Sequence, residues 1–461
     1  MTGFDPASFR DPSGRLFRHA GALYRTCSPQ ALASFTRARE SGLLTALESA
    51  GLLVATALVD SATEGLSPAE VGPKVLKQPE LPLVSYSYEW SFSMLRDAAR
   101  LTLDALDTCL AKGFVLKDAS SFNVLFEGTR PRLVDIHSIE PRVEGSLWAG
   151  YTQFCRAFLF PLLLASYKSI DPRPLLLGGL GEIPVADAAR SFGWRDRFRP
   201  GVLVNVAMQQ QLERRFANRA EDVAKAGAGV KYPLSALHAQ VGKLRKLIDG
   251  LALPQGDAWT SYAATRTYDD EGIRAKEAFV ARSLEELAPG RVLDLGTNTG
   301  QFARLARRSG ANVVAVDLSS ACIDAVYRES PGDVGLSPLV ADLTKPTPAI
   351  GWRNIERRAL LDRLRGDTVV ALALVHHLRI TGGIPLADIL DLLTGLAPTG
   401  VIEWVGREDP MVKRLLALRP DVYEDFAQEV FEGLLQARAR VTRHEVLPGA
   451  RVLYLFDRRR G

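Results

Sequence analysis

The sequence lacks the features that mark several large classes of protein. Four cysteines occur in 461 residues, at positions 27, 109, 155 and 322. None forms a CxxC pair or has zinc-ligand spacing, so neither a disulfide framework nor a zinc site is expected, and a reducing, cytoplasmic location follows. The N-terminal stretch MTGFDPASFRDPSGR has no apolar core and does not read as a secretory signal. No apolar run approaches the roughly 20 residues that a helix needs to span a bilayer, which argues against an integral membrane protein. The most apolar segment, Phe154 to Tyr167, carries Arg156 and Pro161 and reads as a buried core helix. An excess of one charge is also missing. The 57 basic and 53 acidic residues leave +4, too little to argue for nucleic acid or an anionic membrane. No basic groove with interleaved aromatics points to RNA or DNA. Internal repeats and low-complexity tracts are absent.

What is present is ordinary globular composition, 47% apolar and 24% charged. At roughly 100 to 200 residues per domain the length predicts two or three domains. Residues 1 to about 80 carry short strand-like runs and a helical stretch. Residues 90 to about 250 are mainly helical, with a strand-rich interruption near 114 to 140. A Pro/Gly punctuation at Leu253-Pro-Gln-Gly-Asp257 reads as the linker. The expected domains are therefore residues 1–252 and 258–461.

The C-terminal part alternates apolar β-rich runs with helical patterns. Strands are expected at Arg291–Leu295, Asn312–Asp317, Leu339–Asp342, Asp367–Leu374 and Val401–Val405. Helices are expected from Gln301 to Arg308, stopped by Gly310, and from Ser319 to Tyr327. Near-continuous apolar strands covered by helices imply a mostly parallel sheet buried on both faces. Val441–Val446 and Arg451–Phe456, around Pro448-Gly449, read as a closing antiparallel pair.

The strongest motif is Val292-Leu-Asp-Leu-Gly-Thr-Asn-Thr-Gly300. Glycines after the first strand let a ligand approach the backbone, and the following helix offers free N–H groups. Asp294 lies two residues before Gly296; a carboxylate there would repel a pyrophosphate and suits a cationic ligand. The spacing is GxxxG, which differs from the GxGxxG dinucleotide fingerprint. Asp317 ends the second strand, 17 residues after Gly300, where an acid accepts both ribose hydroxyls. This pattern fits a sulfonium nucleoside bearing an α-amino group better than NAD.

These residues resemble motif I of the class I S-adenosylmethionine-dependent methyltransferases, over about 200 residues from near 258 to the end. The resemblance implies a doubly wound, Rossmann-like seven-stranded sheet and S-adenosyl-L-methionine as cofactor. It implies that Asp294, Gly296 and Gly300 line the methionine and ribose end, that Asp317 binds the ribose diol, and that Asp342, followed by Leu343, meets the adenine. Asn298 stands where many members have glycine, and asparagine tolerates left-handed backbone better than most residues.

Methyl transfer requires alignment of the acceptor above all, and a general base only for a hydroxyl or a protonated amine. Leu374-Val-His-His-Leu378 follows the fourth strand, so His376 and His377 are the candidate catalytic residues; the alternative is one core histidine and one solvated one. Glu403, beside Trp404, either borders the acceptor pocket or packs in the core. Tyr268 and Lys276 are candidates for a segment folding over the cofactor, against the alternative of a solvated helix cap.

A second constellation lies near residues 113 to 140. Asp118 and Asn123 are five apart, and Asp135 follows Asn123 by 12. This resembles the catalytic loop and metal-binding aspartate of the protein-kinase and aminoglycoside-phosphotransferase superfamily. The resemblance implies an α+β, mainly helical, kinase-like N-terminal domain with magnesium–ATP as a second candidate ligand. The departures are substantial: Leu116 stands where a histidine is usual, the triplet is Asp135-Ile-His137, no glycine-rich phosphate loop is evident, and the nearest strand, Leu23-Tyr-Arg25, offers arginine in place of lysine. Leu83 to Phe92 concentrates four aromatics in seven residues, read as core packing. This stretch, with Leu116-Lys-Asp-Ala-Ser, also resembles a family of bacterial methyltransferase-like proteins that includes some labelled as nodulation proteins.

The sequence thus reads as a methyltransferase on an unidentified acceptor, a small molecule first, with a kinase-like domain that shapes the acceptor site. Two alternatives stay open: a small-molecule phosphotransferase with a degenerate methyltransferase domain, and a non-catalytic S-adenosylmethionine-binding module. Oligomeric state is not legible in the sequence.

Overall fold

The computed structural model describes residues 3–216, 231–254, 270–417 and 422–459. The contacts divide the chain into two units: one holds residues 1–127, 131–255 and 350–357, the other residues 128–130, 256–349 and 358–461. No helix among the described residues is long and apolar enough to cross a membrane. All four cysteines are free thiols.

The N-terminal unit opens with a four-stranded antiparallel sheet. Its strands are β1 (Leu16–His19), β2 (Ala22–Thr26), β3 (Ala57–Asp60) and β4 (Lys74–Gln78), in the order β1-β2-β4-β3. Phe17, Tyr24 and Val75 are buried beneath it. Between β2 and β3 lie two helices; Ser28 caps the first, Pro29–Glu40, by accepting the Ala31 N–H, with Pro29 pre-setting its first turn. A 20-residue helix, Phe92–Ala111, follows, its apolar face buried along Leu95, Leu103, Leu106 and Leu110. Two short antiparallel pairs come next: β5 (Phe114–Leu116) with β8 (Ile139–Pro141), and β6 (Val124–Glu127) with β7 (Arg130–Leu133). The segment Phe154 to Tyr167 is helical and almost wholly buried, as its composition predicts, with one wider turn at Cys155–Leu159. Tyr86, Tyr88 and Trp90 are buried as well, Tyr86 against Tyr88 and Trp90 against Phe126.

The second unit is built on a seven-stranded sheet: β9 (Arg291–Leu295), β10 (Asn312–Asp317), β11 (Leu336–Val340), β12 (Thr368–Ala371), β13 (Thr399–Val405), β14 (Arg440–Leu447) and β15 (Arg451–Asp457). The order is β11-β10-β9-β12-β13-β15-β14; the first five are parallel, while β15 runs antiparallel to both β13 and β14. Every residue of β13 and β15 is buried, whereas the edge strand β14 alternates, with Arg440, Thr442, His444 and Val446 exposed and Arg443 and Glu445 on its half-buried side. The strand order reverses between β10 and β12 around β9, and this switch point opens the crevice in which such sheets bind ligands.

Two strands differ most from the sequence expectation. β11 begins at Leu336 and includes Pro338, which an edge strand accepts because its open side needs no N–H. β12 ends at Ala371 instead of Leu374, because Ala373 adopts φ +49° and turns the chain out of the sheet.

Gly400 lies in β13 where no side chain fits. A Cβ there would stand 2.4 Å from Val369 Cγ1 and 2.6 Å from Phe456 Cε1. Gly400→Ala is expected to destabilise the domain by about 1–3 kcal/mol through overpacking. Chemical denaturation checks this, and an unchanged midpoint would refute it.

Candidate functional site

The site is assembled at the carboxyl ends of β9, β10 and β12. The chain leaves β9 through Gly296 (φ +76°), Thr297, Asn298 (φ +49°) and Gly300 (φ +81°). The N–H groups of Gly296 and Thr297 donate to the Val316 carbonyl at 2.8 and 3.0 Å, which pins the loop to the end of β10. Asn298 takes the left-handed backbone that its residue type tolerates, so its departure from glycine costs the loop little. The helix Gln301–Arg308 starts at Gly300 with no side-chain cap, and Gly310 follows its end at φ +91°.

Two carboxylates flank this loop. Asp294 is buried within β9; the Thr297 hydroxyl donates to it at 2.5 Å. Burial pushes its carboxyl up to about 7, the neighbouring Asp317 charge adds to the rise, and the Thr297 hydrogen bond opposes it. Asp317 ends β10 and accepts N–H groups from Asn298 and Ser319, each at 2.8 Å. Burial raises its pKa too, against those backbone hydrogen bonds. The Ala341 N–H donates to the Asp317 carbonyl, bringing the end of β11 alongside. Two residues beyond β11, Asp342 folds back on the Thr344 N–H and hydroxyl, at 2.9 and 2.6 Å, and Leu343 is buried. The structure therefore places Asp294, Gly296, Asn298, Gly300 and Asp317 around one loop, with Asp342 and Leu343 at the end of the strand beyond Asp317.

The other wall follows β12. After the turn at Ala373, the Leu374 side chain packs beside Gly296, whose φ of +76° favours glycine. His376 and His377 come next, ring centroids 4.3 Å apart. His376 is buried and its Nδ1 has no hydrogen-bond partner among the described residues. Burial holds both imidazoles below the usual histidine range; His377, Arg451 and Lys276 add to the depression at His376, and Arg451 to that at His377. Both rings are therefore neutral near pH 7.

Beneath this turn is a chain of four buried charges. Lys276 Nζ is 2.7 Å from Glu403 Oε2, the other Glu403 oxygen is 3.0 Å from Arg451, and Arg451 reaches Asp409 at 2.7 Å. Glu403 Oε2 also accepts the Ala373 N–H at 2.7 Å. Lys276 and Glu403, separate candidates in the sequence, are thus one ion pair, and Lys276 is buried where a solvated helix cap would leave it open. Tyr268 lies outside the described residues. Sequence reasoning missed Thr297, Ala373, Asp409 and Arg451. A signal existed for Arg451 alone, a charge at the head of an otherwise apolar strand.

The N-terminal constellation also comes together. Asn123 Nδ2 donates to the Asp118 carbonyl at 3.3 Å, and the nearby Asp135 charge adds to the burial that raises the Asp118 carboxyl. Asp135 is 2.9 Å from Arg25, which reaches Asp11 at 3.0 Å. The guanidinium thus neutralises the carboxylate that the kinase resemblance assigns to magnesium. β1 and β2 are joined by the two residues Ala20-Gly21. Asp11, Asp135 and His137 each bring one potential ligand atom within 4.8 Å of the others, with Arg25 paired to both carboxylates.

Comparison with known proteins agrees with the C-terminal geometry. A family model described as a methyltransferase domain matches residues 268–405. Over 460 residues the chain is 34% identical to nodulation protein NoeA of Rhizobium meliloti (strain 1021), covering 98% of this chain and 95% of that protein. Among solved structures, the bifunctional kinase-methyltransferase WbdD matches at 19% identity over 43% of this chain and 42% of its own, under half its length, with a TM-score of 0.31. Magnesium protoporphyrin IX methyltransferase (ChlM) from Synechocystis PCC 6803, with bound SAH, matches at 16% identity over 44% and 95%, also with a TM-score of 0.31. The chain is an S-adenosylmethionine-dependent methyltransferase and belongs to the family of nodulation protein NoeA.

Proposed function

We propose that residues 258–461 bind S-adenosylmethionine between the Gly296–Gly300 loop and the end of β10, and methylate a small-molecule acceptor presented beside His376 and His377. The observation that carries this reading is the pair of carboxylates, Asp294 and Asp317, at adjacent strand ends on either side of the glycine loop. Asp294 would hold the α-ammonium and Asp317 the ribose diol, with Asp342 and Leu343 toward the adenine. When bound, the cofactor supplies an electrophilic methyl on a sulfonium. The chain's own work is alignment, because the reaction neutralises charge and asks little of a base. The neutral His376, whose Nδ1 has no partner among the described residues, can take a proton from a hydroxyl or ammonium acceptor. The likeness to a nodulation protein supports a role in that process.

Parallel calorimetric titrations with S-adenosylhomocysteine and magnesium–ATP test this. Binding of the first alone is expected; binding of ATP alone would overturn the reading. Asp317→Ala should weaken S-adenosylhomocysteine by at least about tenfold, roughly 1.4 kcal/mol of charge-assisted hydrogen bonding. Unchanged affinity in that variant would remove Asp317 from the site.

A further inference from the structure

Between Trp194 and Leu212 the N-terminal unit turns six large apolar side chains outward: Trp194, Phe198, Leu203, Val204, Met208 and Leu212. Phe198 is 84% exposed and Trp194 67%. Burying one such side chain is worth about 1.5–3 kcal/mol, so a run of open ones marks a surface that meets something apolar. The stretch is ordered. The turn Arg195–Phe198 packs against the helical segment Leu203–Ala207, which continues into the helix Met208–Phe216. Val202, Asn205, Val206 and Gln209 form its buried side, while Val204, Met208 and Leu212 recur every four residues on the open side.

Charge decides what the surface meets. Arg195, Arg197, Arg214 and Arg215 are exposed in the same stretch of chain, and Arg195 lies 5.1 Å over the Trp194 ring. Asp196 is turned inward, to Lys168 at 3.0 Å and the Gly193 N–H at 2.7 Å. Glu213 is the one exposed acid among residues 194–215. The nearly neutral chain therefore carries a local positive excess on an apolar face. A second copy packed face to face would set arginine against arginine, and the core of a protein partner is poor in charge.

We propose that this face docks on an anionic lipid surface. Trp194, Phe198 and the Val204–Met208–Leu212 stripe enter the boundary between headgroups and acyl chains. The arginines lay their stems along the apolar layer and pair their guanidiniums with lipid phosphates. The segment lies on the membrane and does not cross it.

Flotation of the full chain with phosphatidylcholine vesicles, with and without about 30% phosphatidylglycerol, tests this. The chain is expected to float with the anionic vesicles alone and to detach as salt rises. Trp194→Ala with Phe198→Ala should cut the bound fraction by at least about tenfold. Arg197→Glu with Arg214→Glu should do the same, and neither pair should shift the unfolding midpoint, because all four side chains are exposed. No flotation with anionic vesicles, or equal flotation of the Trp194/Phe198 variant, would overturn the proposal. So would sedimentation showing a dimer that this variant dissociates, which would give the face to a second copy.

Discussion

Replacing Glu403 with alanine is expected to lower the unfolding free energy by about 3–5 kcal/mol, the usual cost of breaking a buried ion pair by removing one partner. Glu403 is wholly buried and joins Lys276 to Arg451. Without it, Lys276 and Arg451 each lose a buried carboxylate partner. The change also removes the acceptor of the Ala373 N–H, and Ala373 holds a backbone conformation that non-glycine residues avoid. The turn carrying Leu374, His376 and His377 should loosen, so affinity for S-adenosylhomocysteine should fall together with stability. Glu403→Gln keeps an oxygen for the amide and loses the charge. It should retain more of the cofactor affinity than alanine while still losing stability. Denaturant titration followed by calorimetry on the folded variants separates the two effects. A stability loss below about 1 kcal/mol in the alanine variant would show that the network contributes little.

Raising the pH from 4 to 8 should cost the ligand-free protein a few kcal/mol through Asp294 alone. Its carboxyl is held near 7 in the fold against 3.8 ordinarily, because burial disfavours the charge. Folded chains therefore keep a proton that unfolded chains release. The stability contribution is full below pH 4 and is lost as the pH rises through about 7, at about 1.4 kcal/mol for each pH step between those two values. Asp294→Asn removes the ionisation, so the variant should be more stable than the parent at pH 8 and show a flatter profile. If Asp294 holds the α-ammonium, the same variant should lose at least about tenfold in S-adenosylhomocysteine affinity. In the parent, binding near pH 6.5 should release a proton, read by calorimetry in buffers of different ionisation enthalpy. Parallel stability profiles for parent and variant would show that Asp294 is already ionised in the fold.

Much of the cofactor side is legible in the order of residues because its signals are local. The apolar runs of β9 and β10, the glycines between β9 and its helix, the Gly310 stop and the antiparallel pair around Pro448-Gly449 depend on neighbours in the chain. Asn298 is legible as a left-handed position for the same reason. β11 runs longer than its pattern suggests because Ser337-Pro338 resembles a turn, and only its place at the sheet edge makes proline acceptable there.

The acceptor side depends on distant contacts. Lys276, Glu403, Asp409 and Arg451 lie as much as 175 residues apart and carry no common pattern that would pair them. Their pairing needs the sheet to be closed, because only β13 beside β15 sets Glu403 against Arg451. Likewise, Arg25, expected as a weak stand-in for a nucleotide-binding lysine, is instead spent on Asp135 and Asp11. The sequence by itself determined the sheet, the glycine loop and the carboxylates at its strand ends, because hydrophobic periodicity and backbone freedom are properties of neighbouring residues. The tertiary structure alone decided which buried charges neutralise one another, because Coulombic pairing depends on distance and desolvation, and neither is written in residue order.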